Sequence, residues 1–237
     1  MPILLIVIGM IPLGWAAWQG NPDRGAPYVA EALVALRHRD PDRAIIACEA
    51  ALASQTPVER TRALAISTQG VAYALKRDFN RALIDCDRAI ALEPTLATLY
   101  ANRGLVYLRK KQPELALVDC DRAIALEPNL AAAYSTRAVA HLLKGSLGPA
   151  QADAERRVAL DPGNADAFAV RASVRTSTGQ HDLAIGDADE AIRQEPCLAI
   201  PHTNRALAQL GVGAIDRALA DCDHAIGLDP SSADDFL

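Results

Sequence analysis

The stretch Asp85-Cys-Asp-Arg-Ala-Ile-Ala-Leu-Glu-Pro94 recurs almost letter for letter as Asp119 to Pro128, and again as Asp221-Cys-Asp-His-Ala-Ile-Gly-Leu-Asp-Pro230. Looser copies run from Asp153 to Pro162 and from Asp187 to Pro196. The closing prolines Pro94, Pro128, Pro162, Pro196 and Pro230 follow one another at 34 residues without drift. A fixed period of this size signals a row of stacked supersecondary units, not one globular core.

Working outward from that stretch, each unit divides into two helical runs. An alanine stands twelve residues before each proline: Ala82, Ala116, Ala150, Ala184 and Ala218. Another stands five before, at Ala89, Ala123, Ala191 and Ala225. Small residues in these slots let two helices approach closely. Six residues after each proline comes a ring (Tyr100, Tyr134, Phe168, His202, Phe236), and ten after comes a small residue again (Gly104, Ala138, Ala172, Ala206). Basic or glycine-containing turns separate the runs at Lys76-Arg77, Lys110-Lys111, Gly145, Gly179 and Gly213. Lys76, Lys110, Lys111 and Lys144 lie at or just past the ends of first helices, where cations suit the helix dipole.

These residues resemble the tetratricopeptide repeat family, whose unit is a helix–turn–helix with a ring, a small residue, a second ring, two alanines and a closing proline. Tyr100, Gly104, Tyr107, Ala116, Ala123 and Pro128 match that pattern in one repeat; Gly70, Tyr73, Ala82, Ala89 and Pro94 match it in another. The implied fold is an all-α solenoid of about six 34-residue repeats behind an N-terminal hydrophobic segment. We expect a segment at 1–18, a linker at 19–27 and an array over 28–237. The array holds a divergent repeat at 25–58, then repeats 63–96, 97–130, 131–164, 165–198 and 199–232, and a truncated helix at 233–237. Four extra residues should lengthen the helix around Val58 to Leu75. Arg157 in a small slot, and His141, Arg175 and Gln209 in the second ring slot, depart from the pattern.

The resemblance also implies that first helices line a concave groove holding partner segments. The matching positions are Thr98, Ala101, Asn102, Leu105 and Arg109 in one repeat, Ser135, Thr136, Val139 and Leu143 in the next, and Asn204 further on. These groove slots hold no lysine, so a terminal-carboxylate clamp of the kind some family members use is not carried over. Protein or peptide partners and a non-catalytic scaffold or adaptor role are therefore expected, with self-association through the uncapped last repeat as a further route.

Charge and chemistry narrow the field. A net charge of −5 and a pI near 5.5 argue against nucleic acid, which needs a concentrated basic surface. Paired carboxylates such as Asp85 and Asp87 lie two residues apart and point about 200° apart on a helix, so they form no single site. Cys48, Cys86, Cys120 and Cys222 mark one slot in different repeats and read as small buried residues rather than disulfides or zinc ligands. No catalytic set, phosphate loop, metal motif or cofactor motif is visible. An aspartate nine residues before each proline and an arginine nine after it predict an inter-repeat ladder: Asp85–Arg103, Asp119–Arg137, Asp153–Arg171 and Asp187–Arg205. The joint appearance of Ala47 and Gln69 in these two slots supports that pairing.

Residues Pro2 to Trp18 are uncharged and almost wholly apolar. As a helix they reach about 25 Å, at the short limit for spanning a bilayer. The expectation is a single membrane span with Trp15 and Trp18 at the interface. The alternative is a signal peptide cleaved after Ala16, giving an exported factor that handles unfolded client segments.

Overall fold

The computed structural model describes residues 23–54 and 58–229. Among them are twelve helices and no strands. They run as α1 (Ala26–Arg37), α2 (Pro41–Ala53), α3 (Glu59–Leu75), α4 (Phe79–Leu92), α5 (Ala97–Arg109), α6 (Pro113–Leu126), α7 (Ala131–Leu143), α8 (Leu147–Leu160), α9 (Ala165–Ser177), α10 (His181–Gln194), α11 (Ala199–Gly211) and α12 (Ile215–Leu228). Odd-numbered helices are the first members of their pairs and even-numbered helices the second. α3 has 17 residues where α5 has 13, which absorbs the four-residue offset before the regular phase. The apolar 1–18 segment, residues 19–22 of the expected linker, Thr56-Pro57 and the 233–237 stretch lie outside the described residues. No helix among the described residues is long and apolar enough to cross a membrane.

Local chemistry places the helix ends. Asp78 caps α4, its side chain accepting from the Arg81 amide at 3.1 Å, and Asp40 caps α2 through the Arg43 amide at 3.0 Å. Pro41 and Pro113 open α2 and α6, where a missing N–H costs nothing. The turns inside the pairs need one left-handed residue. Gly145, Gly179 and Gly213 supply it at φ 71, 75 and 78, whereas Arg39, Arg77 and Lys111 adopt it at φ 56, 64 and 60 with a Cβ in place.

The chain forms two compact units, one ending at Ala133 and the other beginning at Tyr134. In the first, α3 lies against α1 and α5, and each first helix lies against its own second helix. Its core joins Val29, Ala51, Ala63, Ile66, Ala89, Leu96 and Leu99. The small slots explain the close approach. A Cβ on Gly70 would stand 2.8 Å from the Ala82 carbonyl oxygen and 3.0 Å from Cys86 Sγ. Cys48, Cys86 and Cys120 are buried free thiols in that slot, and Cys222 is half-buried. Burial pushes the Cys48 thiol up to about 12, so it stays protonated and inert.

The second unit repeats this arrangement from α8 to α12, with Ala138, Ala150, Ala154, Ala165, Val170, Val174 and Ala191 in its main cluster. Ile215 and Leu219 of α12 are 60% and 59% exposed, while the same slots in α4, α6 and α10 hold half-buried residues such as Leu83, Leu117 and Ile185.

Candidate partner-binding face

In each unit the candidate face is its own set of first helices, and much of it is used to hold those helices together. In the first unit, Asn102 donates from Nδ2 to Ser67 Oγ at 2.9 Å, tying α5 to α3. In the second, Asn204 donates from Nδ2 to the Ala169 carbonyl at 2.8 Å, tying α11 to α9. Both bonds span 35 residues, so one slot performs one task in both units. Leu105, Ser135, Thr136, Val139 and Asn204 are buried within the chain. Thr98, Asn102, Arg109 and Leu143 are half-exposed. The structure therefore places Thr98, Asn102 and Arg109 along α5 and, of the four α7 residues expected in the groove, leaves only Leu143 with exposed surface.

Arg157 shows why the α7 slots close. It stands on α8 where other repeats have alanine, and it is fully buried. Its Nε donates to Ser135 Oγ at 3.0 Å and its Nη1 to Asp161 Oδ2 at 3.4 Å, while Nη2 has no partner. Burial lowers its pKa, with Asp161 and Asp166 pulling the other way. The departure flagged in the sequence thus consumes a hydroxyl that the sequence reading gave to a partner.

The arginine–aspartate ladder exists with a different register. Arg103 donates to Asp119 through Nε at 2.8 Å and Nη2 at 2.7 Å, within its own helix pair, and not to Asp85. Arg137–Asp153, Arg171–Asp187 and Arg205–Asp221 repeat the two-pronged geometry at 2.6–2.9 Å. The expected Asp85–Arg103, Asp153–Arg171 and Asp187–Arg205 pairings are corrected accordingly, and the arginine expected to meet Asp119, Arg137, is bound to Asp153. Coupling between neighbouring repeats comes instead from the second aspartate of two doublets: Arg103 reaches Asp87 and Arg205 reaches Asp189, both at 2.6 Å. The physical reason is facing. Residues two apart on a helix point about 200° away from each other, so first carboxylates such as Asp119, Asp187 and Asp221 close their own pairs while second carboxylates such as Asp87 and Asp189 turn outward.

The register accounts for an outlier. The arginine slot paired with Asp85 holds Gln69, and burial raises the Asp85 pKa, with Arg88 and Arg81 offsetting it. The hydrogen bonds that Arg103 donates to Asp119 instead raise the Arg103 pKa, against burial, and that arginine stays a fixed cation. Arg175, another departure, adds a second guanidinium to Asp187 at 2.7 Å. The ladder arginines also lie over the ring slot: Arg103, Arg137 and Arg171 are 5.9, 5.5 and 5.3 Å from the centroids of Tyr100, Tyr134 and Phe168. Among the described residues, no group of His, Cys, Asp or Glu side chains is placed to hold a metal ion.

Paired helices, small-residue contacts and a 34-residue hydrogen-bonded frame define a helical-repeat protein. The family described as Tetratricopeptide repeat matches residues 97–130, the repeat with the fullest set of signature residues. The 97–130 repeat is a tetratricopeptide repeat, and the helix pairs on either side of it share that fold. Solved structures agree in fold. TTC0263, a thermophilic TPR protein of Thermus thermophilus, is 22% identical, with 73% of this chain and 94% of that one covered at a TM-score of 0.65. PilW, a type IV pilus biogenesis factor, is 20% identical over 89% of this chain and 96% of its own, with a TM-score of 0.64. YrrB, a TPR protein with an unusual peptide-binding site, is 20% identical over 71% and 87%, with a TM-score of 0.50. A comparison with curated protein sequences gives no match.

Proposed function

We propose that this protein is a non-catalytic interaction scaffold that binds extended protein segments along its first helices and is held at a membrane by residues 1–18. The observation that carries the binding reading is the half-exposed row Thr98, Asn102 and Arg109 on α5, set on a frame fixed from behind. Thr98 offers a hydroxyl to a peptide backbone, and Arg109 supplies positive charge for an acidic side chain. The peptide-binding site named for YrrB is support by fold likeness. Affinity should be modest, because ordering a flexible segment opposes binding.

The test is partner capture by the full chain from its native host, compared between two variants. Thr98→Arg with Arg109→Glu should abolish capture while leaving thermal unfolding unchanged. Ile215→Asp with Leu219→Asp should leave capture intact. Capture that survives the first change and fails with the second would move binding, or self-association, to the last repeat. The anchor is tested separately by membrane fractionation and mass spectrometry of the mature N-terminus. A soluble product beginning at Ala17 would establish export instead.

A further inference from the structure

The last helix pair differs from the others in two slots at once. The ring slot holds His202, only 5% exposed, where other repeats have Ile66, Tyr100, Tyr134 and Phe168. The second-helix slot that holds Arg88, Arg122 and Arg156 in three repeats and Glu190 in a fourth holds His224. In the 97–130 repeat these two slots make a ring under a permanent cation, Arg122 lying 5.9 Å from the Tyr100 centroid. In the last pair they bring two imidazoles together, with centroids 4.3 Å apart and planes tilted by 58°.

The surroundings of His202 suit a neutral ring. Its Nδ1 lies 3.5 Å from Asp221 Oδ1, and its Nε2 is buried with no partner. The Asp221 charge is already engaged by two hydrogen bonds from Arg205, at 2.6 and 2.7 Å. Arg205 is itself bound to Asp189 of α10. Of the other charged groups on the neighbouring helices, Glu190 pairs with Arg193 on α10 and Arg171 and Arg175 of α9 pair with Asp187, while Asp182 of α10 and Asp216, Arg217 and Asp223 of α12 are exposed to solvent. The remaining imidazole of α10, His181, rests at the far end of α11, where a Cβ on Gly211 would meet its Cε1 at 2.3 Å.

We propose that the His202–His224 pair is an acid-sensitive latch: a proton taken up by the buried ring, with Nε2 lacking an acceptor and a second imidazole and Arg205 alongside, loosens α12 from α11. The direction follows from linkage. Burial, aided by His224 and Arg205, holds His202 below its ordinary value against the pull of Asp221. The unfolded chain therefore binds a proton at His202 before the folded chain does, and stability present at neutral pH is lost as pH falls below about 6.5. Asp221 does not titrate in that window. Burial opposes its charge, but Arg205 outweighs burial and holds it below the ordinary carboxylate range. The latch goes beyond the binding role and stands whatever partner the chain takes.

Hydrogen exchange of the full chain at pH 7.5 and 5.5, corrected for the intrinsic pH dependence of exchange, tests it. Protection of 199–228 should fall on acidification by up to about tenfold per pH unit, while 97–126 holds. His202→Phe, which installs the ring used at Phe168, should remove the acid loss and keep the protection seen at neutral pH. An undiminished acid loss in His202→Phe, or none in the unaltered chain, overturns the proposal. Should His202→Phe fail to fold, NMR titration of the His202 ring in the unaltered chain decides. Uptake of its proton must coincide with loss of α12 protection, and uptake without that loss refutes the latch.

Discussion

The helix pairs α5–α6 and α11–α12 share one frame and differ in what the frame encloses. In both, an arginine grips the aspartate of its own second helix with two hydrogen bonds and reaches back to the preceding second helix with a third. In α5–α6 the ring slot is Tyr100 under Arg122; in α11–α12 it is His202 against His224. The turn differs too, with Lys111 forced to φ 60 in one and Gly213 at φ 78 in the other. Slots that close the fold repeat faithfully, and slots beside them are free to acquire titratable chemistry.

If the frame is common to both pairs, removing its arginine should cost the same in each. Arg103→Ala and Arg205→Ala should each destabilise their own pair by about 3 kcal/mol, because a buried carboxylate is left unpaired. Urea unfolding followed by local hydrogen exchange reads this, and a difference of more than about 1 kcal/mol between the two breaks the comparison. The turns come next. Gly213→Ala should cost about 1–2 kcal/mol from left-handed strain. Lys111→Gly should stabilise by about 0.5 kcal/mol, since strain relief exceeds the extra entropy of glycine.

Transplanting the histidines sharpens the contrast. Tyr100→His with Arg122→His should import acid sensitivity into 97–126, with protection falling by up to about tenfold per pH unit below about 6.5. An unresponsive double variant would show that the α11–α12 surroundings, and not the two rings, set the behaviour. The smallest effect is expected at Asp87→Ala, below about 1 kcal/mol by the same exchange assay, because that carboxylate is 60% exposed.

The fold was legible because it rests on spacing. Pro94, Pro128, Pro162 and Pro196 and the small residues around Ala82 and Ala116 fix a period, and a period fixes helix pairs. The ladder was legible in composition but not in register. Asp85 to Arg103 and Arg103 to Asp119 are both disposed evenly about a turn, so height along the helices does not choose between them. The choice depends on which way each carboxylate faces, and the joint change at Ala47 and Gln69 pointed to the wrong pairing. The partner face was the least legible part. Ser135 looks available for binding until Arg157, from a different helix, is seen to take its hydroxyl.

The claim that partners bind along the first helices is tested most directly by site-specific photocrosslinking in the native host. The photoreactive residue would replace Thr98 or Arg109 on the first-helix face, and Arg88 or Arg122 on the exposed second-helix face. The account predicts discrete crosslinked proteins from Thr98 and Arg109 and none from Arg88 and Arg122. Products from the second-helix positions alone would contradict it.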